Sequence, residues 1–466
     1  MTTQVTKNDK AFFGHPAGLA WLAGSEFWER FSYYGMQTLL VLYMTGQLLH
    51  PGHVEHILGF APFHRAIESV YGHLSTEAFA SIVFGLYAGF VYLTPLLGGF
   101  IADRFLGRTR AVTFGAIVMA AGHFLMAFEA SFLIALSCLL IGVGFFKGNI
   151  ATQVGDLYGH DDPRRADAFQ IYFLGIQIAV IGSPLICGTL GETVGWHWGF
   201  GAAGVGMLIG LTTYLLGRPN FPLERPRQTK DSAPAAEPLS GSDWGVIAIL
   251  VLLTIVLAVA SVGNQEIFDG YLLWAKADYD LVLFGRQMPV TWLISFDAIV
   301  STVTMAGMVL FWRWWATRWR EPDELQKIIL GVAISALAPL ALAGAAAVFA
   351  ATGHRVSLGW GVAFELLNDI GFANVFPVGM ALYTRAAPKG TAGTLMAVYL
   401  LQLFMGNMFV GYLGGLLDRM PGTSFWLLHA GLIASAAVVL VLLRMVFGRI
   451  LAPSYEEPEA AAEAAA

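Results

Sequence analysis

Nine ionisable residues stand where such residues are costly. Glu26, Glu29, Arg30 and Lys147 in the first half of the chain, and Glu266, Asp269, Asp297, Glu365 and Asp369 in the second, all lie inside long apolar stretches. A charge placed in hydrocarbon by default faces a cavity or a partner, so these residues are candidates for function. In SEFWERFSYYGMQ, Glu26 and Arg30 are four apart and share one helix face. Tyr33 and Tyr34 continue that face one turn on, and Gln37 follows Tyr33 by four. Acid, base, two phenols and an amide on one stripe suit the handling of a proton or a polar solute. Lys147, the single cation of GVGFFKGNIATQVGDLY, requires a counter-ion, for which Glu26 and Glu29 are the expected partners. A network that only fixes helix packing is the competing use, but packing rarely needs four charges in lipid.

The elements that carry these residues follow from composition. The 466 residues are 56% hydrophobic and 12% charged, with a mean hydropathy of +0.64; a soluble chain carries roughly 25% charge. That excess of apolar surface excludes a cytosolic enzyme, a nucleic-acid binder and a disordered scaffold, and predicts a polytopic helical membrane protein. The apolar runs do not alternate, which excludes a β-barrel. Cys138 and Cys187 both lie in apolar stretches, so no disulfide framework is indicated.

Twelve apolar segments are predicted, at about 19–47, 77–102, 110–128, 131–156, 166–190, 197–217, 243–276, 288–316, 326–352, 357–386, 390–417 and 423–449. Each reaches the length of roughly 20 residues needed to cross about 30 Å of hydrocarbon. A Pro-, Ser- and charge-rich stretch at 218–242 is a linker, dividing a six-helix bundle at 1–217 from a second at 243–450. The tail at 451–466 is acidic, of low complexity and expected to be mobile, and no cleavable signal is evident before the first span. Loops after the even-numbered spans, counted with the span ends that flank them, hold fifteen Lys/Arg against five after the odd-numbered ones, which predicts that both termini are cytoplasmic. Within the one long outside loop, Leu48–Thr76, a short amphipathic helix lying on the membrane is expected.

Twelve spans split six and six resemble the layout of the major facilitator superfamily, whose substrate sits at the midplane between the halves. Closer motifs narrow the likeness. EFWERFSYYG (Glu26–Gly35) resembles the ExxERFxYYG motif of the proton-dependent oligopeptide transporter (POT or PTR) family. GGFIADRFLGRTRAV, FFKGNIATQVGDLY and FQIYFLGIQIA are similar to three further signatures of that family, in order and at its spacing. The likeness is strong from about Ala20 to Leu211 and weaker after the linker.

The resemblance implies an all-α major facilitator fold and roles for named residues. Glu26, Glu29, Arg30 and Lys147 would couple protons, with Lys147 also meeting the substrate. Tyr33, Tyr34 and Tyr92 would line the substrate, together with the positions occupied here by Gln37, Gln177, Asp297 and Tyr399. Asp103, Arg104 and Arg108 in the loop after the second span would serve gating. Six positions depart from the family pattern. Gln37 replaces a frequent basic residue, and its usual acidic partner in span seven falls at Asn264 or Gln265, with Glu266 one position away. That predicts loss of one gate salt bridge, replaced by an amide–amide contact. Gln177 and Asp297 stand where the family has asparagines, and Tyr399 where it has tryptophan. Phe372 occupies the place of the span-ten glutamate that holds a peptide's amino terminus. Asp297, then Asp369, are the expected replacements, with Glu365 as a further acid nearby.

The expected function is a proton-coupled symporter importing di- and tripeptides across a bacterial inner membrane, with protons as the coupling ion and no cofactor. The alternative is a related carrier of a non-peptide organic solute, suggested by the same departures. An intramembrane enzyme lacks a nucleophile or a metal cluster. Membrane lipid is the expected surroundings, with no nucleic acid and no obligate protein partner. His53, His56, His64 and His73 in the outside loop lack tight metal spacing and read as solvated.

Overall fold

In the first half, a computed structural model builds long helices α1 (Ala17–Tyr43), α3 (Thr76–Ile101), α4 (Arg108–Leu125), α5 (Phe132–Asp156), α6 (Arg164–Ser183) and α8 (Trp196–Gly217). Two shorter ones accompany them, α2 (Phe60–Tyr71) and α7 (Thr189–Thr193). The second half contains α9 (Gly241–Ala260), α10 (Val262–Gln265), α11 (Gly270–Asp278), α12 (Trp292–Ala316), α13 (Glu324–Ser335), α14 (Ala338–Thr352), α15 (Gly359–Ala386), α16 (Ala392–Gly414) and α17 (Gly422–Leu451). The structure describes residues 9–159, 162–222, 239–283 and 285–451. Most of the 218–242 linker and all but the first residue of the expected mobile tail lie outside the described residues.

Among the described residues nine helical segments are long and apolar enough to cross a membrane. Three more long helices, α1, α4 and α15, complete the twelve crossings; α1 carries Glu26, Glu29 and Arg30, and α15 carries Glu365 and Asp369, charges that lower the hydropathy of those two spans. Helix starts follow local chemistry. Ser75 accepts the Ala78 N–H ahead of α3, while Ser240 with Asp243, and Asp323 with Gln326, form reciprocal caps on α9 and α13. The amphipathic helix expected within Leu48–Thr76 is α2. Around it Glu129 accepts from Gln47 at 2.9 Å and pairs with the His53 ring at 2.6 Å. Glu68 accepts the Leu74 N–H at 3.2 Å and pairs with His73 at 3.0 Å, contacts that hold its carboxyl below the usual range. His53, His56, His64 and His73 each lie within 3.6 Å of an acid, and His56 and His73 are exposed to water as expected.

Two expected spans are interrupted. The seventh is one apolar run in the sequence, yet α9 ends at Ala260, a turn of α10 follows, and Glu266–Phe268 form a tight 3₁₀ turn before α11. The ninth is divided between α13 and α14 ahead of Pro339. Close approach of backbones sets much of the packing. A Cβ on Gly98 would fall 2.0 Å from the Gly144 carbonyl oxygen, so α3 meets α5 only because both positions are bare. Between the halves, a Cβ on Gly85 would lie 2.5 Å from the Asn407 carbonyl, which brings α3 against α16. A second broad junction between halves is α6 against α12.

Candidate functional site

The stripe on α1 forms a compact ion network. Arg30 Nη2 donates to Glu29 Oε1 at 2.7 Å and its Nε donates to Glu29 Oε2, while Glu26 Oε1 lies 3.1 Å from Nε. All three are buried. The 3.6-residue period explains Glu26 with Arg30; the bidentate grip of the adjacent Glu29 is a side-chain arrangement that spacing alone does not require. Glu26 Oε2 accepts no hydrogen bond, and Tyr172 of α6 adjoins that carboxylate. The Arg30 guanidinium lies 5.1 Å from the Tyr33 ring centre, and Tyr34 packs 6.1 Å from Phe268 in the broken seventh span. The stripe thus runs from a buried ion network to the junction between halves.

Lys147 does not form the expected ion pair in this conformation. Its amine sits 4.5 Å from the Tyr92 ring centre, a cation–π contact, close enough to Glu26, Glu29 and Arg30 to feel their charge. The geometry unites Tyr92 with Lys147 more directly than either with Glu29. Gln177 donates to Thr302 Oγ1 at 2.9 Å and so joins α6 to α12.

On the second half, Asp297 of α12 faces Glu365 and Asp369 of α15 closely enough for the three charges to interact. Tyr271 donates to Glu365 Oε1 at 3.2 Å. Asp297 Oδ1 and both Asp369 oxygens accept no bond in good geometry, although Ser301 adjoins Asp369. Phe372 stacks on Phe376 with ring centres 5.2 Å apart. Three acids gathered without a basic partner among the described residues suit a cationic group.

Four expected site residues are placed otherwise. Gln37 is buried with its Oε1 unpaired, and the amide contact anticipated with Gln265 is absent. Gln265 instead donates to Asn264 at 2.9 Å and accepts from Asn407 of α16 at 3.0 Å, because the seventh span packs that amide against the eleventh. Glu266 is wholly buried and faces the His429 ring of α17 at 3.2 Å, turned there by the break in its helix. Tyr399 is wholly buried, and its hydroxyl donates to the Phe376 carbonyl at 2.7 Å. Gly379 makes room for that ring: a Cβ there would lie 2.5 Å from the Tyr399 oxygen. In this conformation Tyr399 therefore braces α15 beside Pro377. Tyr399→Phe is expected to lower unfolding stability by about 1 kcal/mol and leave the KM for any transported solute unchanged, as thermal unfolding and uptake kinetics on the same preparation would read.

In the loop after the second span, Arg108 donates to Asp156 and lies 3.4 Å from Asp103. Arg104 is exposed and makes no ion pair among the described residues. His429 carries in the sequence the same signal as the nine acids and bases, an ionisable side chain inside an apolar run. Glu192 carries none, because it sits just past a segment end and reads as loop.

The POT family profile (PTR2) matches residues 109–235. The peptide transporter YePEPT of Yersinia enterocolitica is 28% identical over 95% of this chain and 96% of its own. A di-/tripeptide transporter of Lactococcus lactis subsp. cremoris is 30% identical over 90% of this chain and 73% of its own. A crystal structure of a peptide transporter POT in complex with sulfate superposes with a TM-score of 0.81 at 22% identity, covering 95% of this chain and 97% of that one. At that identity the superposition establishes the fold, an all-α membrane fold of the major facilitator type.

Proposed function

The chain belongs to the POT family, and from that premise we propose that it is a proton-coupled symporter that imports di- and tripeptides by alternating access. The family is one of transporters, not of enzymes. The observation that carries the reading is the buried Glu26–Arg30–Glu29 network with Lys147 close beside it. Two carboxylates share one guanidinium there, and a proton on one of them is the simplest way to change the balance. Burial favours a neutral carboxyl and a neighbouring cation an ionised one, so a change of cavity shape shifts the competition. Lys147 and Arg30 suit the carboxylate end of a peptide, and the acid trio of the second half suits its amino end.

The protein is integral to the membrane. We place it in a bacterial inner membrane with both termini cytoplasmic, on the bias of Lys and Arg among its loops. The end bearing α2 then faces outside. Purified protein in proteoliposomes is expected to accumulate labelled dipeptide when a proton gradient, inside alkaline, is imposed, and only to equilibrate it without one. Accumulation that ignores the gradient would remove proton coupling. A competition panel of dipeptides, tripeptides and non-peptide acids decides the cargo: displacement by non-peptide acids alone would favour the other carrier reading.

A further inference from the structure

Glu192 is assigned no role by the motifs described above, yet it makes the densest polar contact between the two halves. It lies on α7, which continues α6 of the first half. Its Oε2 accepts the Val290 N–H at 3.0 Å; its Oε1 accepts the Thr291 N–H at 3.0 Å and the Thr291 hydroxyl at 2.6 Å. These donors stand immediately ahead of α12 in the second half. The carboxylate thus caps a long helix of the opposite bundle, where unpaired N–H groups and the positive end of the helix dipole both favour an anion. Trp292 Nε1 adds a bond to Thr189 Oγ1 at 2.8 Å. Val290 and Thr291 are buried. A Cβ on Gly188 would lie 2.1 Å from the Thr291 hydroxyl, so the halves close here only over a glycine.

The position gives the contact its meaning. Among the described residues, every hydrogen bond between the halves lies at or on the α2 side of Gln177–Thr302. They comprise that bond, the Glu192 cluster, Ser81 to Asp269 at 3.0 Å, and Arg419 to the His73 carbonyl at 3.2 Å. The molecule is therefore shut at its α2 end. For the halves to part there, all the bonds of the Glu192 cluster must break at once and the N-terminus of α12 must find other acceptors.

We propose that Glu192, with Thr189 and the bare Gly188, is the latch that holds the α2 end of the transporter closed. It takes the place of a gate salt bridge between Gln37 and span seven, which this chain cannot form. The inference rests on the alternating-access reading for its consequence, but its test needs no cargo. Spin labels at Val194 and Val282, both exposed at that end on opposite halves, report the gap directly in a Cys138→Ser background. The parent protein should give a single short-distance population. Glu192→Ala removes the acceptor and Gly188→Ala inserts a wedge, and each should add a longer-distance population. Loss of charge-assisted bonds of this kind shifts an equilibrium roughly ten- to a hundred-fold. Trp292→Phe, which deletes one donor and keeps a ring, replaces Glu192→Ala if that variant does not fold, with a smaller shift in the same direction. Folded variants that keep the parent distances overturn the latch. Altered distances in a protein that moves no peptide would leave the latch standing and overturn the cargo reading instead.

Discussion

Glu26→Gln or Glu29→Gln is expected to abolish gradient-driven peptide accumulation while counterflow, which needs no net proton movement, survives. The two variants should differ in stability. Glu29 holds Arg30 through two bonds, and Glu26 through a single contact at 3.1 Å with its other oxygen unbonded. Breaking a buried pair leaves an uncompensated charge at a cost of about 3–5 kcal/mol. Glu29→Gln should therefore lower the unfolding temperature clearly, and Glu26→Gln only slightly. Uptake under an imposed gradient, counterflow with preloaded peptide and thermal unfolding form the set of measurements. Full accumulation by the double variant would take both residues out of coupling.

Asp297→Asn is expected to weaken a peptide with a free amino terminus by roughly ten- to a hundred-fold, since a charge-assisted bond to an ammonium contributes about 1.5–3 kcal/mol. An N-acetylated peptide should be almost unaffected. The family position that usually supplies this acid is Phe372, whose ring is spent in stacking on Phe376. Of the three acids gathered on α12 and α15, Glu365 accepts from Tyr271 through one oxygen and keeps the other unbonded, whereas Asp297 Oδ1 and both Asp369 oxygens carry no bond and Asp297 stands at the position matched to the pocket. Asp369→Asn, compared on the same two ligands, tests the second candidate. If both variants treat free and acetylated peptides as the parent does, neither aspartate holds the amino terminus, and a non-peptide cargo gains ground.

Much of this protein was determined by local chemistry that sequence alone expresses. Apolar runs of membrane-crossing length need no partner to be recognised, because the bilayer acts on each separately. Glu26 and Arg30 share a face because four residues make about one helical turn, and the amphipathic stretch that became α2 is periodic within itself. The family motifs carry the same kind of information, residue types at fixed spacing along one helix. What tertiary structure decided is which helix lies beside which. The seventh span reads as one continuous apolar helix, yet it breaks and buries Glu266 against His429 of α17. Tyr399 matches a substrate-lining position, but the bare Gly379 draws its ring into α15. Lys147 has two acids within electrostatic reach and settles on the Tyr92 ring. Glu192 looks like a loop residue until α12 arrives beneath it. In each case the deciding partner lies on a different helix, and a buried polar group satisfies whatever the packing of the two bundles places within about 3 Å of it, which no spacing along a single helix encodes.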